Sequence, residues 1–136
     1  MTFDDLIDLQ FSINAAYQTT ASWLMHQSTC GEISKLKDGQ GQYLWQPNQI
    51  VGQPMMLKGK PVYLSDNMPT IGTGVASIVY GSFMDGVVYR EAGGMMIDSA
   101  TEYLFANDQL AIRATLRMDS KVRDDTAVKV FVGGAS

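Results

Sequence analysis

Gln109-Leu110-Ala111-Ile112-Arg113-Ala114-Thr115-Leu116-Arg117-Met118 carries the clearest pattern in the chain. Leu110, Ile112, Ala114, Leu116 and Met118 alternate with Gln109, Ala111, Arg113, Thr115 and Arg117. Successive side chains of a strand point to opposite faces, so this period of two predicts a strand with one face wet and the other covered. Strands of that kind belong mainly to antiparallel sheets. Downstream, the charged turn Asp119 to Asp125 leads to a β-rich closing strand at Ala127 to Val132. Upstream, Ala76-Ser77-Ile78-Val79-Tyr80 and Val87-Val88-Tyr89 are β-branched and aromatic runs bounded by Gly72, Gly74, Gly81 and Gly86, and Gly93-Gly94 reads as a turn into Met95-Met96-Ile97.

Further upstream, helical periods join the strands. Phe3, Leu6, Ile7, Ile13, Ala16 and Tyr17 recur at helical spacing. Thr2 is placed to cap that helix, and Asp4 and Asp5 sit where the helix dipole favours negative charge, so a helix is predicted from 3 to about 17. Ala21 to His26 reads as a short buried strand. A two-turn helix should follow from Ser28 or Thr29, with Thr29 and Glu32 spaced as a capping box and Asp38-Gly39 with Gly41 ending it. Tyr43 to Met68 is broken into short apolar pieces by Gln, Pro, Asn and Gly, predicting short strands joined by an extended loop. No repeat or linker divides residues 1–136, so the expectation is a single α+β domain with a small mixed or antiparallel sheet.

Composition excludes several classes of function. With 46% hydrophobic and 18% charged residues, the 136-residue chain reads as neither a disordered tail nor a membrane protein. A net charge of −4 disfavours a phosphate-gripping nucleic-acid binder. The longest apolar run, Val75 to Tyr80, is far short of the roughly 20 residues of a spanning helix, and the acidic start is unlike a signal peptide, so a reducing, cytoplasmic setting without membrane association is expected.

One cysteine and one histidine rule out an intrachain disulfide and a zinc cluster built of those residues, and no cofactor is expected. Cys30, near the start of a short helix, has the position of a reactive thiolate but more simply fills space as a small hydrophobe. His26 lies in an apolar run and reads as a strand-end residue rather than a base. Gly39-Gln40-Gly41 and Gly72-Thr73-Gly74 lack the following Lys-Ser/Thr or third glycine of a phosphate loop. Asp4, Asp5 and Asp8 form a solvated acidic helix face. The basic residues Arg113, Arg117, Lys121 and Arg123 suit pairing with carboxylates across strands or subunits.

The segment Ile33-Ser34-Lys35-Leu36-Lys37-Asp38-Gly39-Gln40-Gly41-Gln42-Tyr43-Leu44-Trp45-Gln46-Pro47 places a helix, then Leu-Lys-Asp, a polar turn and Gly-Gln-Tyr-Leu in sequence. It resembles the major capsid proteins of tailed phages with the Hong Kong 97-type fold. The resemblance continues in family order through Leu57 to Val62, Asp66 to Pro69, Val79 to Phe83 and Gln109 to Ala114, covering about Leu6 to Phe131. What matches is the C-terminal part of that family's longer chains, the axial domain and the returning peripheral-domain strands. The N-terminal arm, extended hairpin loop and spine helix have no counterpart.

The resemblance implies a wedge-shaped axial domain, with a small sheet flanked by two or three helices, and a structural role in a virion made in the bacterial cytoplasm. Copies of the chain would be its partners, as pentamers and hexamers of an icosahedral phage or prophage shell. The chain by itself would be a monomer or weak oligomer. The loop from Trp45 to Met56 would point at the capsomer axis, which makes Trp45, Gln46, Pro47, Asn48, Gln49, Met55 and Met56 the interface candidates. Some relatives cross-link a Lys to an Asn beside a catalytic Glu. Those Asn and Glu positions fall at Asp108 and Thr115 here, so no catalytic residue and no autocatalytic cross-link is expected. Two other readings compete: a small-molecule or peptide-binding module, which needs a concave apolar pocket with converging polar groups, and an enzyme using Cys30 or His26.

Overall fold

The computed structural model describes residues 1–46, 54–100 and 109–134, which fall into two compact units: Met1–Gly86 with Arg123–Ser136, and Val87–Val122.

The first unit begins with helix α1 (Phe3–Phe11). The Thr2 hydroxyl accepts the Asp5 N–H at 3.3 Å and the Asp5 carboxylate accepts the Thr2 N–H at 2.6 Å, a complete capping box. Leu6 and Leu9 are its buried stripe. The helix stops well before the expected residue 17 because Ser12 donates its hydroxyl to the Leu9 carbonyl, and Asn14 then caps a separate 3-10 turn, Ala15–Tyr17. Short polar side chains here compete for the groups a continuing helix would need.

Strand β1 (Ser22–Met25) follows, then helix α2 (Gln27–Ser34). His26 caps α2: its Nδ1 accepts the Ser28 N–H at 3.0 Å. The helix therefore starts before Thr29, and Thr29 is buried inside it with Cys30 and Ile33 rather than capping it. The expected strand at Tyr43–Trp45 reduces to a single bridge between Lys37 and Tyr43.

Strands β2 (Met56–Leu57) and β3 (Lys60–Leu64) form a hairpin whose two turn residues, Lys58 (φ 50°) and Gly59 (φ 77°), are both left-handed. That is the conformation of a two-residue type I′ turn, which favours Asn-Gly. Lysine there bears a steric cost that asparagine largely avoids. Lys58→Asn should stabilise the protein by about 0.5–1 kcal/mol, read as a raised urea midpoint at unchanged slope.

Strand β4 (Ala76–Gly81), the single helical turn α3 (Phe83–Gly86) and strand β7 (Val128–Val132) complete the unit. The sheet order is β2-β3-β1-β4-β7, with β1 parallel to β3 and every other pair antiparallel, the mixed sheet that the strand pattern predicts. At Gly81 a Cβ would lie 2.3 Å from the Ala127 carbonyl oxygen, so the close approach of β4 to the start of β7 requires glycine.

The core is centred on β1. Trp23 is fully buried between the register partners Val62 and Tyr80, with its ring centroid 4.2 Å from that of Tyr80. Its indole N–H donates to the Leu57 carbonyl at 3.2 Å. Leu6, Met25, Ile33, Leu57 and Ile78 fill the surrounding space. The Tyr80 hydroxyl donates to Gln18 Oε1 at 2.9 Å, satisfying a polar group that burial would otherwise penalise.

The second unit is an antiparallel ribbon of β5 (Val87–Ala100) and β6 (Ala111–Val122). Gly93 and Gly94, expected to turn the chain, instead lie within β5 with φ of 79° and 68°, and the register shifts between Ala92 and Met96. The pair forms a bulge, a place where left-handed glycines bend a strand without ending it. Apart from the partly exposed Val87 and Ala111, every ribbon residue is exposed, so the single wet face expected for residues 109–118 becomes two. Two strands alone have no second layer to cover either face.

Candidate interaction surfaces

The expected axial loop has a buried root. Trp45 is 8% exposed within the chain's own core, and its indole N–H donates to the Met56 carbonyl at 2.8 Å. Met55 packs partly buried on the same core, its Sδ 3.5 Å from the Cys30 sulfur. Gln46 is exposed and Met56 is 42% exposed beside them. Trp45, Met55 and Met56 are thus brought together, the first two facing inward and the third outward. Pro47, Asn48 and Gln49 lie outside the described residues.

The ribbon supplies a second surface that sequence reasoning missed. Directly opposed residues share a face, so the pairs Ile97–Ala114, Tyr89–Ser120 and Val87–Val122 place Tyr89 and Ile97 on the same side as Ile112, Leu116 and Met118. Ile112 is 67% exposed and Leu116 40%. The Tyr89 hydroxyl lies 3.2 Å from Met118 Sδ across this face. The opposite face carries Arg90, Arg113, Arg117 and Lys121 with Asp98 and Asp119, and the Arg113–Asp98 pair at 2.9 Å is the expected cross-strand match. Being exposed, that pair contributes at most about 1 kcal/mol. Large exposed apolar patches on folded chains generally mark contact surfaces. The period-two pattern of 109–118 carries the signal of an apolar face but does not say what covers it.

The groups considered for chemistry are occupied structurally. His26 Nδ1 serves the Ser28 N–H and hydroxyl. Cys30 is buried, and burial pushes its thiol pKa up, away from a reactive thiolate. Ser82 donates to the Asp85 carboxylate at 2.7 Å and accepts from the Thr20 hydroxyl at 2.8 Å, tying the start of α3 to residue 20. Of the positions aligned with the cross-linking relatives, Asp108 lies outside the described residues and Thr115 stands opposite Met96 on the ribbon. Among the described residues no group of three or more His, Cys, Asp or Glu side chains is placed to hold a metal, and no helix is long and apolar enough to cross a membrane. A cavity of about 520 Å³ is lined by Met1, Asp5, Ile71–Thr73 and Phe131–Gly134, but the Asp5 carboxylate in it is already used by the α1 cap.

Asp124 joins the 3-10 turn to the segment before β7. Its carboxylate accepts from the Thr126 hydroxyl and N–H at 2.7 and 2.8 Å and from the Tyr17 hydroxyl at 2.8 Å. The Thr126 bonds, with Tyr17 behind them, hold the carboxyl below the usual range, and the bond to Asp124 raises the Tyr17 phenol. A depressed carboxylate pKa means that its stabilisation is present at neutral pH and is lost as pH falls below about 4, through the folded-state value. Asp124→Asn should lower the urea midpoint at neutral pH and flatten its decline on acidification.

The sequence model of the phage capsid family matches residues 1–133. Two solved structures are similar over 97% of the chain at 29% identity: the capsid of a native GTA particle computed with C5 symmetry, TM-score 0.84, and the capsid of an empty GTA particle computed with C5 symmetry, TM-score 0.83. The chain spans 44% of the length of those capsid chains. No curated protein sequence is significantly similar.

Proposed function

The chain belongs to the phage capsid family, and from that premise we propose that it is a shell-forming part of a major capsid protein, working through contacts with copies of itself and located in the virion. The observation that carries this reading is the likeness to capsid subunits along almost the whole chain, in fold and in sequence together. Function then resides in interfaces and their symmetry, not in a reactive centre. The structural employment of His26 and Cys30 supports that, and the competing pocket-binding reading gains nothing from a cavity whose one carboxylate caps a helix.

Two surfaces serve the assembly. The 45–56 loop, rooted by Trp45 and Met55, offers Gln46, Pro47, Asn48, Gln49 and Met56 for contact around a capsomer axis. The apolar face of the ribbon is covered in the finished shell. A stable ring contact needs on the order of 1,200 Å² or more, so the chain on its own is monomeric or weakly associated at micromolar concentration.

The test is a chimera in which residues 1–133 replace the matching part of a solved GTA capsid chain, imaged by electron microscopy. Closed shells are the expected result. A soluble, folded chimera that never assembles overturns the proposal.

A further inference from the structure

The chain holds two Asp-Gly pairs, Asp38-Gly39 and Asp85-Gly86, in opposite environments. We propose that Asp38-Gly39 is a site of spontaneous aspartate isomerisation in the folded protein and that Asp85-Gly86 is protected from it.

The chemistry is intramolecular. The Gly39 nitrogen attacks the Asp38 side-chain carbon, forming a C–N bond and giving up its proton, while one carboxyl oxygen leaves as water. Water then opens the cyclic imide at either carbonyl, restoring aspartate or giving an isoaspartyl linkage. One water leaves and one enters, so the product is an isomer and no co-reactant is needed.

Three features place Asp38 for this. Its Oδ1 accepts the N–H groups of both Gln40 and Gln42 at 2.9 Å, folding the side chain back over the turn. The ring closed by the Gln40 hydrogen bond contains both the Asp38 side-chain carbon and the Gly39 nitrogen. Among the described residues the Gly39 N–H has no acceptor, and the stretch from Lys37 to Leu44 is exposed to the water that must complete the reaction. Glycine leaves the attacking nitrogen unshielded, and a Cβ built at 39 meets nothing within 4 Å.

At the second pair the same atoms are engaged elsewhere. The Gly86 N–H donates to the Ser82 carbonyl at 2.9 Å, and the Asp85 carboxylate accepts from Ser82. Gly86 is itself buried, with a built Cβ 2.4 Å from Val128 Cγ2. Turning Asp85 onto the Gly86 nitrogen would first require α3 to unwind.

Isomerisation lengthens the main chain at residue 38 by one methylene, within the loop held by the Asp38 N–H to Gln42 carbonyl bond at 2.8 Å. The loop between α2 and Trp45 is therefore where the protein ages chemically.

The intact chain would be incubated folded, at physiological temperature and neutral pH in oxygen-18 water, then mapped by peptide mass spectrometry and by labelling with an isoaspartyl methyltransferase. The expected result is oxygen-18 uptake and methyl-acceptor signal in the peptide holding residue 38 and none in that holding 85. Urea-unfolded chain should be labelled at both. Gly39→Ala, which the open surroundings accommodate, should lose the signal at 38 while its circular dichroism matches the parent. Equal labelling of the two pairs in folded protein, or no label at 38 over a period in which unfolded chain is labelled there, overturns the proposal.

Discussion

Replacing Ile112 and Leu116 together by aspartate is expected to abolish shells in the chimeric capsid while leaving a soluble protein with unchanged circular dichroism. Both side chains lie on the apolar side of the ribbon, each two residues along β6 from Ala114, the partner of Ile97, and both are exposed in the isolated chain. In water the substitutions remove little, because surface changes away from packed contacts usually stay within about 0.5 kcal/mol. If assembly covers that face, each subunit instead has to bury two carboxylates without partners, a penalty of several kcal/mol per charge. Every subunit of the shell bears it, so the loss should be complete rather than graded. Particle counts by electron microscopy and sedimentation read the result, and shells in parental yield would show that the face stays open to solvent.

The second large effect is on folding. Trp23→Ala should cost about 3–5 kcal/mol, a large share of the roughly 5–15 kcal/mol that holds a domain together. Trp23 is 0% exposed on the central strand of its sheet, so its loss opens a cavity where no neighbour is free to collapse inward. It also removes the ring against Tyr80 and leaves the Leu57 carbonyl without its indole donor. Trp23→Phe keeps a ring and loses only the donor and some volume, so its urea midpoint should fall between those of parent and alanine variant. Equal midpoints for parent and alanine variant would mean that the core is centred elsewhere.

How much of this was legible in the residues depended on the range of the interaction. The Thr2 cap of α1, the β1 run and the closing strand are local patterns, and they appear where the sequence places them. The alternation of Gln109 to Met118 identified a strand and an antiparallel partner, but nothing in a period of two says which layer covers the apolar side. Gly93-Gly94 reads equally as a turn or a bulge, because left-handed glycines serve both, and the choice is made by pairing with residues some twenty positions away. Thr29 lost the capping role because His26, one residue past the strand, reaches the first free N–H sooner. Trp45 is the informative case at the proposed site. An aromatic beside a Pro- and Gln-rich loop has the composition of a contact residue, yet its indole finds an acceptor in strand β2, and only the pairing of distant segments shows that.

β7, one edge strand of the five-stranded sheet, is synthesised after its neighbour β4 with forty-six residues between them, the whole ribbon included. While the ribosome is still making the ribbon, the nascent chain therefore carries β4 with one hydrogen-bonding edge bare, an invitation to pair with neighbouring chains on the same polysome. Closure of the sheet depends on how quickly β7 follows the ribbon out of the exit tunnel and zips that edge shut, which makes translational stalling between the two a route to aggregates.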